Sequence, residues 1–240
     1  MRSERIRLFQ TLPHPCGYFA GRTAQNLVID PAAPQLDQLY PQTLPHGFRR
    51  AGGHLYHPRC PGCRACVPCR VPVAGFVPDR SQRRCLQRNA DLAISEVAAG
   101  FTTERHALYT RYLNARHPGG GMDDAEPEDF ERFLSAPWSP TRFVEMRLRG
   151  QLLAVAVTDV CANALSAVYT FFDPDARTRG LGTFAVLTQI ELARRRALAH
   201  VYLGFWIAGH PKMDYKRRFR PLEVRSDNGW HVLEQRAGAD

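Results

Sequence analysis

The sequence predicts an α+β fold in which a run of strands precedes a helix and one further strand. Three apolar segments are separated by turn signals at Gly150-Gln151 and at Asn163, which is typical of an antiparallel meander. Successive strands followed by a helix favour the α+β order over strictly alternating units. The three segments are Phe143 to Leu148, Leu152 to Val160, and Leu165 to Phe172.

Length and composition describe a globular chain. With 240 residues, of which 44% are apolar and 23% charged, it can bury one large core or two small ones. We expect an N-terminal region at residues 1–98 and a C-terminal transferase domain at 99–240, with the boundary near Gly100. No apolar run approaches the ~20 residues of a membrane-spanning helix, and the start lacks a signal-peptide core. A cytoplasmic location without a membrane partner is therefore expected.

The net charge indicates which kinds of partner the protein can bind. A net charge of +9 and a pI near 9.5 attract polyanions, so RNA, DNA and a phosphorylated cofactor are all compatible with the composition. The alternative is a basic protein that has no polyanionic ligand.

The N-terminal region begins with irregular structure and a short strand from Gln25 to Ile29. Apolar residues at helical spacing from Leu36 to Leu44 predict a short helix that is irregular around Pro41. Glycines then flank Arg49 and Arg50, which predicts a turn that presents two guanidinium groups.

Four cysteines follow one another at intervals of two residues. This spacing can hold zinc, and it approaches the pattern of iron–sulfur clusters. The alternative is a buried turn of unmetallated thiols, because no second cysteine pair lies elsewhere in the sequence. The total of seven cysteines is odd and no secretion signal is present, so reduced thiols are expected. The candidate ligands are Cys60, Cys63, Cys66 and Cys69.

A basic helix is predicted after the cysteines. Val71 to Val73 indicates an edge strand because of its central proline, and Ser81 is the expected cap of the helix. Its arginines fall largely on one side with few acids among them, which favours an anion-binding face over a solvated one. These arginines are Arg80, Arg83, Arg84 and Arg88.

The elements between the two regions are shorter. A strand is predicted from Asp91 to Val97, and Thr102 or Thr103 is expected to cap a helix. A glycine-rich loop at residues 117–121 ends that helix, and a short amphipathic helix that includes Phe130 comes next.

A basic loop joins the last meander strand to the next helix. Gly180 and Gly182 allow backbone amides at the helix start to approach a phosphate or carboxylate. The strand–loop–helix–strand arrangement is similar to the pyrophosphate loop of the GCN5-related acyltransferases (GNATs). That resemblance implies a GNAT-like fold and one hypothesis of function, a coenzyme A-dependent N-acyltransferase.

A second resemblance is narrower and runs from about residue 8 to 225. It is carried by His14-Pro15-Cys16, Gly47-Phe48-Arg49-Arg50, Tyr56 to Pro68, Ser81-Gln82, Tyr169 to Pro174, Leu181-Gly182-Thr183, Tyr202-Leu203-Gly204, Trp206-Ile207, Lys212-Met213, Tyr215-Lys216 and Pro221-Leu222-Glu223. Together these motifs resemble the bacterial aspartate/glutamate leucyltransferases of the arginyltransferase superfamily.

This resemblance implies two GNAT-like halves in which aminoacyl-tRNA replaces coenzyme A. Leucine would pass from leucyl-tRNA to the α-amine of proteins beginning with Asp or Glu and mark them for N-end rule degradation. No cofactor is required, because the aminoacyl ester is already activated, and DNA is not an expected partner. Arginyl transfer is the near alternative, and a non-catalytic RNA-binding module is the alternative of another class.

Site residues follow from this chemistry. Asp173, with Asp175 second, is the expected proton acceptor, and the alternative is that both only form a turn. Tyr169 is expected to orient the intermediate, although a tyrosine on an apolar strand is more often core. Arg49 and Arg50 are expected to grip the acceptor carboxylate. Expected tRNA contacts are Arg80, Arg83, Arg84, Arg88, Gly180, Gly182, Lys212, Tyr215 and Lys216.

Overall fold

The computed structural model describes residues 6–116 and 126–234, whose strands form three sheets. The strands are β1 (Leu8–Gln10), β2 (His14–Pro15), β3 (Thr23–Ala24), β4 (Asn26–Ile29), β5 (Arg49–Ala51), β6 (His54–Pro58), β7 (Val67–Pro72), β8 (Ala93–Ala98), β9 (Thr141–Leu148), β10 (Gln151–Val160), β11 (Ala164–Phe172), β12 (His200–Trp206), β13 (Glu223–Ser226) and β14 (Gly229–Val232). The helices are α1 (Leu36–Thr43), α2 (Arg80–Arg88), α3 (Thr103–Arg116), α4 (Pro127–Leu134) and α5 (Leu181–Arg195), with 3₁₀ turns at Leu44–His46, Arg177–Arg179 and Asp214–Arg218.

A large sheet of eight strands organises the described residues, in the order β14-β13-β7-β12-β11-β10-β9-β8. Strands β9 to β11 form the predicted antiparallel meander, and β8 extends it by pairing antiparallel with β9. Helix α5 then crosses over, so that β12 pairs with β11 in parallel. The predicted α+β class is confirmed, and its strand–loop–helix–strand unit has the order expected of a GNAT-like fold.

The two faces of the large sheet are covered by different elements. Helices α2 and α5 cover one face, where Ile190 packs with Leu165 and Val201. On the opposite face, α3 and α4 cover the meander end and pack Phe130 against Phe171. The β12 end of that face is covered by α1 and a small sheet of β1, β4, β6 and β5. Successive side chains of the central strands enter opposite cores, so β10 is buried along nearly its whole length.

The large sheet opens at two places. Strands β11 and β12 pair only from Ala164–Ser166 to His200–Tyr202 and then separate. Strands β7 and β13 pair only where Cys69 and Arg70 meet Val224 and Glu223. Since the carboxyl end of β12 lies beside the start of β7, both openings face the same end of the sheet.

Two local predictions are wrong. Strand β7 as a whole is not an edge strand, because it lies between β12 and β13, although Val71 and its last residue Pro72 pair only with β12. Helix α2 is capped by Asp79 rather than Ser81. The Asp79 carboxylate accepts from the Gln82 amide at 2.8 Å, and the Gln82 side chain accepts from the Asp79 amide at 2.9 Å.

The expected boundary near Gly100 does not separate two sheets. Strands β7 and β8 precede it, yet both belong to the large sheet, which is otherwise built from strands after it. The expected glycine-rich loop at residues 117–121 lies outside the described residues. None of the described helices combines the length and apolar character needed to cross a membrane.

Candidate active-site cleft

Arg49 lies where β11 and β12 separate. Its Nη2 donates to the Ala167 carbonyl at 2.7 Å, and the residue is only 6% exposed. On the other side, Gly204 has φ +81°, and a Cβ there would lie 3.3 Å from the guanidinium carbon of Arg49. Glycine thus provides both the backbone conformation and the space that let the guanidinium lie between the strands. We call this opening the cleft.

One nitrogen of the Arg49 guanidinium is an unpaired hydrogen-bond donor. Its Nη1 is buried and has no hydrogen-bond partner among residues 6–116 and 126–234. Buried polar groups in native proteins are almost always paired, and an unpaired charged donor is costly. A carboxylate that entered the cleft would satisfy this nitrogen, because a guanidinium binds carboxylates with strong, charge-assisted hydrogen bonds.

Lys216 is a second buried cation in the cleft. Its Nζ donates to the carbonyl of Phe205 at 2.5 Å, and the residue is 6% exposed. Burial lowers the pKa of Lys216 to about 8, and the positive charge of Arg49 lowers it as well. Lys216 was expected to contact tRNA beside Lys212 and Tyr215, but only those two are exposed. The 3₁₀ turn at 214–218 directs Lys216 inward instead.

Tyrosines surround the Arg49 side of the cleft. Burial raises the pKa of Tyr18. The neighbouring Tyr56 and Cys66 raise this pKa further, and the positive charge of Arg49 lowers it. Burial likewise raises the pKa of Tyr56, which lies near Arg49. Their hydroxyls therefore stay protonated and can donate hydrogen bonds at neutral pH.

Tyr169, the expected orienting residue, belongs to an aromatic cluster. Its ring meets those of Tyr109, Tyr112 and Phe133 at centroid distances of 6.3, 6.2 and 5.3 Å. Burial raises the pKa of its hydroxyl. These contacts favour the packing role that was the alternative for this residue.

Arg50, next to Arg49 on β5, has no such free donor. Its Nε and Nη2 bind both carboxylate oxygens of Asp159, at 2.7 and 2.9 Å, and both side chains are fully buried. The remaining acceptors of its hydrogen bonds are the carbonyls of Gly52 and Leu134 and the hydroxyl of Thr141. Each guanidinium nitrogen is thus used inside the protein. Arg50 is not placed to bind the acceptor carboxylate.

The two expected proton acceptors lie at the far end of β11. Asp173 accepts from Arg111 Nη2 at 2.7 Å and from the amide of Asp175 at 3.0 Å, while the Asp175 side chain is 87% exposed. From Ala167 to Asp173 an extended chain covers about 20 Å. The structure therefore does not bring Asp173 together with the Arg49 guanidinium.

Two of the predicted tRNA-binding segments do meet. The side chain of Arg88 donates to the carbonyl of Thr178, and Asn89 donates to that of Arg179 at 2.8 Å, so the end of α2 rests on the basic loop. Gly180 has φ +67° and begins α5. Arg80 and Arg84 are exposed and form no hydrogen bond or ion pair with the described residues, whereas Arg83 donates to the carbonyl of Pro78. These arginines form a basic surface along α2, whose carboxyl-terminal end adjoins the start of α5.

The metal prediction is not supported. Cys69 is 1% exposed inside β7, and Cys60 accepts a hydrogen bond from the Gln25 amide at 3.4 Å. Nowhere in residues 6–116 and 126–234 do three His, Cys, Asp or Glu side chains come together in a way that fits a metal ion. Cys69, the fourth cysteine, belongs to β7 and is therefore separated from the three cysteines of the loop. Burial raises the pKa of Cys66 to about 11, which keeps it a thiol.

A cavity of about 440 Å³ lies at the second opening, between β7 and β13. It is bounded by residues 58–66, which we call the cysteine loop, and by the β13–β14 hairpin. His57, Trp206 and Arg225 are among its lining residues. No sequence motif predicted this cavity, although Trp206 belongs to the Trp206-Ile207 motif.

Family models match most of the chain. The N-terminal model of the arginine-tRNA-protein transferases covers residues 14–84, and the C-terminal model covers residues 104–226.

The chain belongs to the arginine-tRNA-protein transferase family.

Curated relatives agree with this transferase family. An aspartate/glutamate leucyltransferase from Stenotrophomonas maltophilia (strain K279a) is 59% identical over 97% of this chain and 95% of its own length. Another from Xylella fastidiosa (strain M23) is 54% identical over 95% of this chain and 92% of its own length.

The similar solved structures are more distant from this chain. The C-terminal domain of a putative lysylphosphatidylglycerol synthetase from Agrobacterium fabrum has a TM-score of 0.45 and 14% identity, and the match covers 60% of this chain and 48% of that one. A GCN5-related glucosamine N-acetyltransferase region of a fungal β-N-acetylglucosaminidase has a TM-score of 0.41 and 8% identity, covering 84% and 22%.

Proposed function

We propose that this protein transfers leucine from leucyl-tRNA to the α-amine of proteins that begin with Asp or Glu. The observation that carries the proposal is the unpaired, buried Nη1 of Arg49 in a cleft of the transferase sheet. Relatives named aspartate/glutamate leucyltransferase that are 54–59% identical over nearly the whole chain support the choice of donor and acceptor.

Arg49 would select the acidic acceptor. Its Nη1 binds the side-chain carboxylate of the N-terminal residue, while Nη2 keeps its bond to Ala167. An acceptor with a neutral side chain leaves the buried nitrogen unpaired, which disfavours that acceptor by the cost of an unsatisfied charged donor. The cleft therefore selects by charge.

The proton acceptor must lie near Arg49. The α-amine and side-chain carboxylate of one Asp or Glu are within about 5 Å of each other, because only a few covalent bonds separate them. Asp173, about 20 Å along β11, is too far to reach that amine. Lys216 is the better candidate, since its pKa of about 8 makes part of its population neutral at cellular pH.

The reaction then balances with the groups at hand. The neutral amine attacks the carbonyl carbon of the aminoacyl ester, and the nitrogen loses one proton to the neutral Nζ of Lys216 as the new C–N bond forms. The bond from that carbon to the ribose oxygen breaks, and the protonated Lys216 returns its proton to this oxygen, which becomes the free hydroxyl of tRNA. An α-amine has a pKa of ~7.7–8.0, so its proton transfer to Lys216 is nearly balanced.

Binding of tRNA is assigned to the exposed cations. Arg80 and Arg84 on α2, with Arg88, Gly180 and Gly182 at the adjoining loop, would follow its phosphates, because this surface is basic and has few acids. Lys212 and Tyr215 extend the same role to the far side of the cleft. We place the reaction in the cytoplasm, where it marks acceptor proteins for N-end rule degradation.

The test is a donor and acceptor screen. Peptides beginning with Asp, Glu, Asn or Gln are incubated with leucyl-tRNA, arginyl-tRNA or acetyl-coenzyme A, and the N-terminal mass is measured. We expect leucine on the acidic peptides only. Arginine as the transferred group would establish arginyl transfer, and acetyl transfer from coenzyme A alone would refute aminoacyl transfer.

A variant connects this screen to the cleft. Arg49→Met should lower kcat/KM for acidic peptides about 100-fold, because a charge-assisted hydrogen bond is lost in the transition state. Arg142→Met, at an exposed arginine on β9 that forms no ion pair with the described residues, is the matched control and should transfer normally. Equal activity of both variants would remove Arg49 from the site.

A further inference from the structure

We infer that the cavity between the cysteine loop and the β13–β14 hairpin binds the terminal nucleotide of the tRNA, the adenosine that carries the amino acid. This inference rests on the proposed function and locates the donor within it. At about 440 Å³ the cavity has the size of sites that hold small organic ligands.

Aromatic rings line the cavity. The indole of Trp206 is half-buried, and its Nε1 donates to Asp214 at 2.9 Å, which fixes the ring in place. His57 and His231 are the other rings of the lining. Fixed rings provide stacking surfaces for a base, and stacking is a main source of affinity in single-stranded nucleic-acid sites. The adenine is expected to stack here.

Cations accompany these rings. Arg225 uses its Nε to hold the carbonyl of Pro45 at 3.1 Å, which leaves the two terminal nitrogens of this guanidinium for a ligand. Arg64 is an exposed residue of the cysteine loop and forms no hydrogen bond or ion pair with the described residues. Asp227 is the acid of the lining and is exposed. The lining thus suits a ring joined to phosphate.

His57 supplies an acceptor for the base. Its Nδ1 lies 3.0 Å from the carbonyl of Gly47, which can only accept, so Nδ1 carries the proton and Nε2 is left as an acceptor. Burial lowers the pKa of His57 and keeps the ring neutral. An acceptor of this kind pairs with the amino group of adenine.

The cavity adjoins the cleft. Trp206 lines the cavity and directly follows Phe205, whose carbonyl binds Lys216. Cys66 also lines the cavity, and its thiol lies close enough to Lys216 for the positive charge of Lys216 to lower the pKa of this thiol. A nucleotide in the cavity therefore presents its ribose, and the ester on it, to the cleft where Arg49 holds the acceptor. The two substrates would meet at Lys216.

The experiment is an NMR titration of the full chain with the trinucleotide CCA, which carries no amino acid. The ¹⁵N-labelled indole groups of the three tryptophans are followed, and Trp206→Phe assigns the Trp206 signal. We expect CCA to shift Trp206 and to leave Trp138 unmoved, since Trp138 packs against Tyr40 on the α1 side. An unmoved Trp206 at saturating CCA overturns the inference. So does a shift caused by an Asp-initiated peptide but not by CCA.

Two arginines make a matched pair of variants. Arg64→Ala removes an exposed cation at the cavity and should raise the Kd for CCA, and the KM for leucyl-tRNA, about tenfold, because one phosphate contact is lost. The KM for the peptide should not change. Arg142→Ala removes an exposed cation far from the cavity and should leave all three constants as they are. An unchanged Kd in Arg64→Ala contradicts the assignment.

Failure of the proposed function gives a different result. If the unmodified protein transfers no leucine while CCA still shifts Trp206, the donor assignment fails and the nucleotide site stands. If leucine is transferred normally and CCA leaves Trp206 unmoved, the nucleotide site fails and the transfer reaction stands.

Discussion

Two neighbouring arginines on β5 have opposite surroundings. Arg50 points into the junction between β5, α4 and β10, where every guanidinium nitrogen has a partner and Asp159 neutralises the charge. Arg49 points into the cleft, where one nitrogen binds Ala167 and another has no partner among the described residues. Because successive side chains of a strand point to opposite sides, one dipeptide serves both places.

The difference between them separates structure from function. A buried cation whose donors are all paired has a structural role, because its removal leaves a buried opposite charge without a partner. A buried cation with an unpaired donor is costly to the free protein and gains its partner only when a ligand binds. The unpaired donor, rather than burial or charge alone, is the reason why we propose Arg49 and not Arg50 as the binding residue.

The largest expected effect is on stability and comes from removing the ion pair between Arg50 and Asp159. Arg50→Met leaves Asp159 charged and buried, so the free energy of unfolding should fall by about 3–5 kcal/mol. Arg49→Met loses a single hydrogen bond to a carbonyl and should cost about 1 kcal/mol. Urea unfolding measures both. Equal losses of stability would show that the two arginines do not differ in the way described.

The next effect concerns Lys216. The unfolded chain holds the Lys216 proton up to pH 10.5, whereas the folded protein loses it near pH 8. Between these values the unfolded state binds more protons, so stability rises with pH, by about 2 kcal/mol between pH 7 and 9.5. In Lys216→Met this contribution should be absent. The difference between the two proteins is the quantity to measure, because cysteines and tyrosines titrate equally in both.

A flat difference between pH 7 and 9.5 would mean that Lys216 is an ordinary solvated lysine. It would then be unsuited to accept a proton from the acceptor amine. The same variant should also lose most of its transfer activity, while binding of CCA to the cavity stays intact.

Substitution of Gly204 is expected to have a smaller effect on transfer, and substitution of Gly209 is its matched control. In Gly204→Ala the left-handed φ of +81° costs about 1 kcal/mol, and the added Cβ displaces the Arg49 guanidinium. Gly209→Ala has a similar φ of +69° with nothing within 4 Å, so it carries the backbone cost alone. Both should lose similar stability, but only Gly204→Ala should transfer slowly to acidic peptides. Normal transfer by Gly204→Ala would contradict the close fit around Arg49.

The smallest effect is expected at the far end of β11. Arg111 is half-exposed, so Arg111→Ala should change the stability by less than about 1 kcal/mol. Asp173→Asn should transfer leucine within about twofold of the unmodified rate, because it lies too far from Arg49 to take the proton. A large loss of kcat in a normally folded Asp173→Asn protein would restore Asp173 as the base.

The sequence predicted the positions of helices and strands better than it predicted which strands pair with one another. Helices α4 and α5 and the meander lie where apolar periodicity indicated them, because each such pattern is local. The place of β7 in the sheet was missed, since its neighbours β12 and β13 come from the other end of the chain. A proline within a strand is a sound sign of an edge only when the sheet order is known.

The site shows the same limit. The sequence motif contains both Arg49 and Arg50, but it does not show which of them is free to bind a ligand. Their partners, Ala167 for Arg49 and Asp159 for Arg50, lie on strands that are distant in the sequence. Lys216 stands in a basic run that is typical of a surface, and only the 3₁₀ turn buries it. The cysteine spacing was regular, yet Cys69 belongs to a strand and not to the loop. Sequence patterns identify residue types, whereas distant contacts assign their roles.

The position of β7 has a consequence for synthesis. Strand β7 leaves the ribosome early, but both of its neighbours in the sheet follow it by more than half of the chain. At synthesis rates of about 5–20 residues per second, both edges of this apolar strand stay unpaired for several seconds. A nascent chain in that interval is a natural client for chaperones. Slowing translation after β7 should therefore lower the yield of folded protein more than slowing it after β13.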